Sequence, residues 1–410
     1  SPPLMNVLYL APGYPDEQPL FVRALSRHGA RVFGVGDVPE GQLPEMTRRH
    51  LSGYVQADIR NEAGTVDAVR RAAQGARVTF DRVIALWEPG VLLAARLREA
   101  LGVDGMGYAH AQLFRDKDLM KQAVAAAGIR VPYHKRATTA DQVRQAVEQF
   151  GYPAIIKPIA GAGSMDTFRV DSPAELEKAI GRLGHIDVVN VEEFVDGEEF
   201  TYDTICSEGK LLYEHVGYYR PRPLVARSEE WISPQTLSLR DIDTDWVKDG
   251  VAMGHAVSKA LRFGTGFSHM EWYRKSDGEV VFGEIAARPA GARTVDLMNF
   301  NSDIDLFAGY AEAELSGTFS QSVSRAYYVA NVFKRAEGQG RIRRVEGVDE
   351  LRRRFGAAVV NVDLLPVGAP RRDWVLTLIS DGYVTVRHPD KQQLWDMADA
   401  VGTDVRLYAA

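Results

Sequence analysis

A predicted β-hairpin at residues 267–293 places two glutamates where they would face each other. Two runs rich in β-branched and aromatic residues flank Asp277-Gly278, a pair typical of a two-residue type I′ turn because both residues accept positive φ. In that register Glu271 lies directly opposite Glu284. Their Cβ atoms would be only ~5 Å apart, where like charges repel. A divalent cation between them is the simplest explanation, because Mg²⁺ is held by one or two carboxylates together with substrate phosphates.

Two further residues share this face of the hairpin. Arg288 follows Glu284 at the spacing that keeps both on one side of an extended chain. Two metal ligands and a fixed cation indicate phosphoryl chemistry, so the chain should also contain a nucleotide site. His269 could contact a substrate or act as a base; the alternative is a histidine packed in the core.

Candidate phosphate-binding groups precede the hairpin. Lys157 lies near the end of the apolar strand predicted at 154–158, which is unusual for a lysine, and the turn Gly161-Ala162-Gly163-Ser164 follows. Backbone N–H groups of such a turn can approach phosphate closely. Lys117 precedes a helix predicted at 119–127 and could add charge, although alone it would be interpreted as a surface lysine. The turn lacks the GK[ST] ending of a P-loop, and an ordinary hairpin is the alternative.

A strand predicted at 188–195 could form an adenine site. The backbone N–H and C=O groups of its last residues can pair with the edge of a base, and a carboxylate shortly afterwards can accept from ribose hydroxyls. The residues concerned are Glu192, Glu193, Phe194 and Val195 for adenine and Glu199 for ribose. A solvated acidic turn between two strands is the alternative interpretation.

The first part of the chain alternates strands and helices. Strands predicted at 31–35 and 82–86, after a first strand that begins at Asn6, imply a doubly wound parallel sheet whose ligands lie beyond the carboxyl ends of the strands. Glu88 follows the strand at 82–86 and is a candidate substrate residue; the alternative is a solvated loop acid. No GxGxxG follows the first strand, which argues against a dinucleotide fold of the usual kind.

The remaining segments carry fewer chemical groups. Residues 213–238 form an Arg- and Pro-rich connection long enough to cover a substrate. Strands are predicted at 326–333, 357–365, 374–380 and 383–388, in a small α+β terminal domain that we interpret as structural or oligomer-forming.

Composition argues against several other classes of protein. The chain has 410 residues, 45% hydrophobic and 25% charged, as in a soluble enzyme of two to four subdomains. Its net charge of −6, without a basic tract, argues against nucleic acid or a membrane surface as a partner. Cys206 is the sole cysteine, so no intrachain disulfide can form and we expect a reducing cytosol. No apolar run reaches the ~20 residues of a membrane-spanning helix, and we expect no signal peptide.

In their order along residues 4–315, these pieces resemble the ATP-grasp superfamily of carboxylate–amine ligases. The shared pieces are Asp116-Lys117, Lys157 on its strand, the Glu-x-x-Val hinge at 192–195, Asp196-Gly197-x-Glu199-Phe200, and two metal acids before Arg288. The segment Glu284-Ile285-Ala286-Ala287-Arg288 with Ala290-Gly291 is most similar to the L-amino acid ligase branch, which makes dipeptides. The chain departs from the pattern at Ala286, where many members carry an asparagine as a third metal ligand.

The resemblance implies an ATP-grasp fold of mixed α/β and α+β class with four parts. These are an N-terminal α/β domain with a doubly wound parallel sheet (1–112), linker helices with a flexible lid subdomain (113–195), a catalytic subdomain with a larger antiparallel sheet (196–317), and a small C-terminal α+β domain (318–410). It also implies ATP with Mg²⁺, or Mn²⁺, and a cytoplasmic homodimer that acts on a small-molecule carboxylate and an amine.

The resemblance further implies an acyl-phosphate intermediate. A carboxylate would attack the γ-phosphate of ATP, and an amine would then displace phosphate to form an amide; positioning and electrostatics carry such chemistry. Lys157 and Arg288 would be catalytic, with Arg288 stabilising the oxyanion at the acyl carbon or binding the substrate carboxylate. Glu88 and Gly291 would line the substrate site.

Two other functions remain open on the sequence. One is a ligase of a non-amino-acid carboxylate in nucleotide-precursor or natural-product biosynthesis. The other is a nucleotide-binding regulator without catalysis, against which the complete set of lysines, acids and Arg288 argues.

Overall fold

The computed structural model describes residues 4–158, 167–185 and 188–410. The predicted phosphate-binding turn with Gly161, Gly163 and Ser164 lies outside the described residues. Among the described residues, no helix is both long enough and apolar enough to cross a membrane.

The N-terminal part contains a parallel sheet between helices, as predicted. Its strands are β1 (Asn6–Leu10), β2 (Arg31–Gly36), β3 (Leu51–Gln56) and β4 (Arg82–Ile84), in the order β3-β2-β1-β4. Its helices are α1 (Gln18–Arg27), α2 (Glu45–His50), α3 (Glu62–Ala76), α4 (Val91–Leu101) and α5 (Tyr108–Gln112), with short 3₁₀ turns at Glu40–Gln42 and Glu88–Gly90. The second turn begins four residues after β4 ends, so Glu88 lies beyond the carboxyl end of the sheet, where ligands bind in this class of fold.

A small antiparallel sheet forms the next part. Its strands are β5 (His134–Ala137), β6 (Ala154–Pro158), β7 (Phe168–Val170) and β8 (Val189–Glu193), in the order β5-β8-β6-β7. Its helices are α6 (Lys117–Ala126), α7 (Ala140–Phe150) and α8 (Pro173–Arg182). Each helix begins at a side-chain cap that accepts backbone N–H groups: Asp116, Thr139 and Ser172.

An eight-stranded sheet unites the rest of the chain. Its strands are β9 (Glu198–Ser207), β10 (Lys210–Arg220), β11 (Gln235–Ser238), β12 (Gly266–Arg274), β13 (Val280–Ala286), β14 (Tyr328–Phe333), β16 (Val359–Leu364) and β17 (Gly382–His388), while β15 (Ile342–Glu346) pairs separately with β18 (Arg406–Ala409). The order is β13-β12-β9-β10-β11-β14-β17-β16. The helices are α9 (Pro223–Ala226), α10 (Lys248–Ala260), α11 (Thr294–Ser302), α12 (Leu306–Ser316), α13 (Val348–Phe355) and α14 (Lys391–Asp404), with a 3₁₀ turn at Gly356–Ala358. The sheet continues across the boundary predicted at 317/318; the three boundaries between the four predicted domains stay predictions.

Two predictions about this region are wrong. Of the connection predicted at 213–238, residues 213–220 are part of β10 and residues 235–238 form β11. Only residues 221–234, including α9, form an irregular connection. Residues 374–380 are a loop rather than a strand. The neighbouring strand β17 already pairs with β14 on one edge and β16 on the other, which leaves no edge for a further strand.

The hairpin of β12 and β13 has a different turn from the predicted one. The Lys275 N–H donates to the Glu279 carbonyl over 2.9 Å, so the loop comprises the three residues 276–278. Of these three, Gly278 alone has positive φ, at 89°. The two-residue type I′ turn is therefore wrong; a three-residue loop with a glycine in the left-handed region takes its place.

A β-bulge restores the register that this turn shifts by one residue. Gly283 is the extra residue of β13, and beyond it Glu271 and Glu284 are Cα partners, as predicted. A Cβ atom at position 283 would lie 2.8 Å from the Glu271 carbonyl oxygen. The bulge therefore requires glycine at this position.

The two faces of the eight-stranded sheet differ in chemistry. Along β9, Phe200 and Tyr202 point to an apolar core shared with α10, whereas Glu199 and Asp203 occupy the opposite, polar face. Helix α10 approaches so closely that a Cβ atom at Gly254 would overlap the Tyr202 ring. The close helix fixes β9, and with it the polar face.

We predict that Gly254→Ala destabilises the protein by about 1–3 kcal/mol, because the added methyl group overpacks a buried ring. The matched control is Gly75→Ala in α3, where a Cβ atom meets no heavy atom within 4 Å. This control should be neutral or stabilising by about 0.5–1 kcal/mol. Thermal unfolding midpoints measure both. Equal midpoints for the two variants would contradict the packing argument.

Candidate active site

Glu271 and Glu284 face each other at the open end of the polar face. The Lys117 ammonium lies 3.3 Å from Glu284 Oε2, so the structure brings three of the predicted residues together. Burial raises the pKa of Glu271 above its usual value, and the facing Glu284 carboxylate adds to that rise. A carboxylate pair that is costly to ionise together is suited to bind a cation.

The acidic pair fits Mg²⁺ as part of a shared coordination sphere. Within the described ranges, no group of three or more His, Cys, Asp or Glu side chains is placed to hold a metal ion. Ala286, at the position of the third ligand in many ATP-grasp proteins, is instead the Cα partner of His269. Two carboxylates would need phosphate oxygens and water to complete an octahedral set, which is how Mg²⁺ is usually bound.

A buried aspartate that the sequence analysis missed organises the polar face. Asp203 is fully buried and accepts hydrogen bonds from Thr201 Oγ1 (2.9 Å) and from the Nδ1 atoms of His215 (2.9 Å) and His269 (2.6 Å). The other ring nitrogen of His215 lies 2.8 Å from Ser238 Oγ. An alternating strand pattern was the only available signal, and it does not distinguish a functional aspartate from a solvated one.

The charges of this network support one another. Burial favours a neutral Asp203, but the charge of His269 and the hydrogen bond from His215 hold the pKa of Asp203 well below its usual range. Burial likewise lowers the pKa of His269, but the Asp203 carboxylate raises it above its usual value. The Nε2 atom of His269 lies 3.9 Å from Glu271 Oε1. His269 is thus packed, and its Nε2 atom is near the acidic pair; its role as a substrate contact or a base stays a prediction.

The predicted hinge carries two ion-pair systems. Glu192 Oε1 lies 3.1 Å from the Lys157 ammonium and 3.3 Å from that of Lys121. Burial opposes ionisation of Glu192, but these two lysines lower its pKa below the usual value. Glu193 accepts both Nη groups of Arg130 at 2.9 Å. The side chains of Glu192 and Glu193 are therefore engaged in ion pairs. The backbone N–H groups of Glu193 and Phe194 donate to the carbonyls of Tyr133 and Pro153, so neither N–H group is free for an adenine edge in this structure, and the adenine site stays a prediction.

The hinge also meets the irregular segment at 221–234. The Arg222 guanidinium lies 5.1 Å from the centre of the Phe194 ring and donates to the Val195 carbonyl over 2.9 Å. Strand β8 ends at Glu193, so Phe194 and Val195 lie just beyond it. Arg222 therefore connects the irregular segment at 221–234 to the predicted adenine site.

Glu199 is buried with one unpartnered oxygen. It is 6% exposed, and among the described residues its Oε2 atom has no hydrogen-bond partner, while the facing Tyr273 side chain interacts with the carboxylate and offsets part of the cost of burial. Burial raises its pKa to about 7, and the Glu271 charge adds to the rise. A buried acceptor without a donor is unfavourable. This observation fits the ribose hydroxyls that the sequence analysis assigned to Glu199.

A cavity of about 340 Å³ holds the predicted substrate residues. Glu88, His269, Arg288 and Gly291 all line it. Glu88 accepts from Arg288 Nε at 2.6 Å and from Arg115 Nη1 at 2.9 Å, so one carboxylate from the N-terminal part holds two arginines. The Arg288 guanidinium is the group of this trio that suits an anionic substrate group in the cavity.

Two lining residues were missed by the sequence analysis. Glu17, next to the start of α1, lines the cavity and accepts the backbone N–H of Arg293 at 2.9 Å. Leu378, from the loop at 374–380, lines it as well. Neither lies in a motif, and their sequence separation from Arg288 hides their proximity.

The fold and these groups resemble those of ATP-grasp proteins. Residues 124–294 match the family described as "D-ala D-ala ligase C-terminus", and this range includes the predicted metal ligands Glu271 and Glu284, Lys157, the predicted hinge and Arg288. The resemblance to the ATP-grasp superfamily is thereby confirmed, as is the predicted fold class.

Individual relatives agree with this assignment. The chain is 28% identical to the L-arginine-specific L-amino acid ligase of Bacillus subtilis over 56% of each chain, and 30% identical to the D-alanine–D-alanine ligase of Kocuria rhizophila over 45% of this chain and 52% of that one. The chain thus spans about half the length of these curated relatives. The crystal structure of L-amino acid ligase from Bacillus licheniformis has the same fold, with a TM-score of 0.76 and 19% identity over 99% of both chains. Other solved structures of this fold contain ADP, ATP or MgADP.

We predict that Glu199→Gln changes how stability depends on pH. The raised pKa means that the folded protein holds a proton which the unfolded chain releases above its ordinary pKa of ~4.3, so Glu199 lowers stability progressively as pH rises from about 4.5 to 7. The variant should therefore gain stability relative to the parent over this interval, by at most about 3.5 kcal/mol at 1.36 kcal/mol per pKa unit.

Chemical denaturation at pH 4.5 and pH 8 measures this difference. The control is Glu148→Gln, which replaces an exposed glutamate on α7 and should leave the difference between the two pH values unchanged. A Glu199→Gln variant with the same pH dependence as the parent would show that Glu199 is not held in a desolvated site.

Proposed function

We propose that this protein is an ATP-dependent carboxylate–amine ligase that activates an amino acid as an acyl phosphate and joins it to an amine. One observation carries the proposal: the substrate cavity and the acidic pair meet at a single residue. His269 lines the cavity, and its Nε2 atom lies 3.9 Å from Glu271 Oε1. A carboxylate bound by Arg288 would therefore lie next to a phosphate held at the acidic pair, as acyl phosphate formation requires.

The charged groups would act at two ends of the site, one that binds phosphate and one that binds the substrate carboxylate. Lys117 and Lys157 each pair with a glutamate and would exchange that partner for phosphate oxygens, because both ammonium groups are at least a third exposed. Mg²⁺ bound at Glu271 and Glu284 would neutralise charge on the transferring phosphoryl group. Arg288 would bind the substrate carboxylate and later the oxyanion that forms when the amine attacks.

The acidic residues of the cavity favour an amino acid over a carboxylate without an amino group. Glu17 and Glu88 both line the cavity that contains Arg288. An α-amino acid offers an ammonium group for a glutamate and a carboxylate for the arginine. A ligase of a simple carboxylate or a regulator without catalysis has no use for this arrangement.

Release of ADP and phosphate, measured with panels of amino acids and amines, tests the proposal. Turnover that requires an amino acid supports it. Turnover that requires a carboxylate without an amino group would replace it with the alternative ligase, and ATP binding without turnover for any pair would support the regulator. The homodimer, the use of Mn²⁺ and the cytoplasmic location stay predictions.

We predict that Glu284→Gln lowers the rate of ADP release at least about 100-fold. Loss of a residue that only hydrogen-bonds to a metal ligand lowers activity about 10- to 100-fold, and loss of a direct ligand should lower it more. Glu279→Gln is the matched control: it lies on the same hairpin and its side chain is equally exposed, at 44%. The control should retain activity. Normal ADP release by Glu284→Gln would show that the metal assignment is wrong.

We predict that Arg288→Ala raises the KM for the amino acid by about 10- to 100-fold, the value of a lost hydrogen bond to a charged group, while ATP affinity stays unchanged. Arg115→Ala is the comparison, since Arg115 also holds Glu88 but does not line the cavity. If Arg288 served only to hold Glu88, the two variants would behave alike. Loss of nucleotide affinity in Arg288→Ala would instead assign the residue to the phosphates.

A further inference from the structure

The loop at 371–381 carries apolar side chains that no core covers. Val375 is 70% exposed and Leu376 83% exposed, whereas Leu378 is 37% exposed and lines the substrate cavity. The loop belongs to the C-terminal part of the chain, which the sequence analysis interpreted as structural. Through Leu378 this loop contributes to the substrate cavity, whose other lining residues come from earlier parts of the chain.

The base of this loop is firmly held. Arg371 and Asp381 form a buried ion pair at 2.9 Å, and Asp381 also accepts the backbone N–H groups of Ala336 (2.8 Å) and Arg372 (3.0 Å). Breaking such a pair is strongly unfavourable, because it leaves a buried charge without a partner. The base of the loop is thus fixed in position.

The apex itself is shaped by local hydrogen bonds. Asp373 receives the backbone N–H groups of Leu376 and Thr377 on its carbonyl oxygen, and that of Val375 on its side chain. This compact turn places Leu376 outward and Leu378 at the cavity. Two leucines of one loop therefore occupy different environments, which gives an internal control.

We propose that Leu378 is a specificity-determining residue that contacts the side chain of the amino acid substrate, and that this side chain is apolar. The inference rests on the proposed function. The cavity that receives Leu378 is also lined by Phe21, Leu86, Trp87 and Val295. With the charged groups of the substrate bound at Arg288 and a glutamate, its side chain is left to these apolar neighbours.

The test compares Leu378→Asp with Leu376→Asp. ADP release is measured with leucine, methionine and phenylalanine and, in parallel, with glycine and serine. We expect the parent to prefer the apolar amino acids. Leu378→Asp should raise their KM about tenfold or more, the scale on which an apolar pocket discriminates, while the KM values for ATP and glycine change little. Leu376→Asp should behave like the parent throughout.

Several outcomes would overturn the inference. One is a Leu378→Asp variant with unchanged KM values; another is an equal loss for every substrate, including ATP. A change of oligomeric state in Leu378→Asp, seen by sedimentation with unchanged KM values, would assign the apex to an interface. Leu378→Ala, with its thermal midpoint checked, guards against a folding defect in the aspartate variant.

The same assay separates this inference from the proposed function. If glycine or serine supports turnover by the parent and the apolar amino acids do not, the ligase assignment stands and the apolar subsite is wrong. If no amino acid supports turnover, both are wrong.

Discussion

The burial of charged groups on one face of an antiparallel sheet is the constraint on which the site depends. Asp203 is fully buried, so each of its hydrogen-bond partners is fixed in position: removing one partner of a buried charge costs about 3–5 kcal/mol. His269 is held in this way, and it lies between the acidic pair and the substrate cavity. Glu271 is buried and faces a second carboxylate, Glu284, so this pair is where we propose that a cation binds.

The site is assembled from distant parts of the chain through a few charged contacts. Glu88 follows the last strand of the parallel sheet, Arg115 precedes α6, and Arg288 follows β13, yet a single carboxylate joins them. Lys117, at the start of α6, reaches Glu284 in the same way. Shared apolar cores also join these parts: Met120 and Val124 of α6 pack in one cluster with Phe282 and Ile285 of β13. The ion pairs therefore lie on elements that packing already holds together.

The sequence was sufficient to predict the central pairing of Glu271 with Glu284, though partly through compensating errors. The turn after Arg274 has one residue more than predicted, and the bulge at Gly283 offsets it, so Glu271 still faces Glu284. Local patterns cannot reveal Asp203 or Glu17, because their roles depend on partners far away in the chain. The strand predicted at 374–380 shows the same limit: its apolar residues have strand propensity, but both edges of the neighbouring strand are occupied.

An acyl phosphate is the central claim, and transfer of an oxygen isotope tests it most directly. An amino acid labelled with ¹⁸O in its carboxylate is incubated with the protein, MgATP and an amine. If the carboxylate attacks the γ-phosphate, one labelled oxygen is bonded to phosphorus and leaves with phosphate when the amine displaces it. The account predicts one ¹⁸O atom in each phosphate released. Unlabelled phosphate, formed together with an amide product, would contradict it.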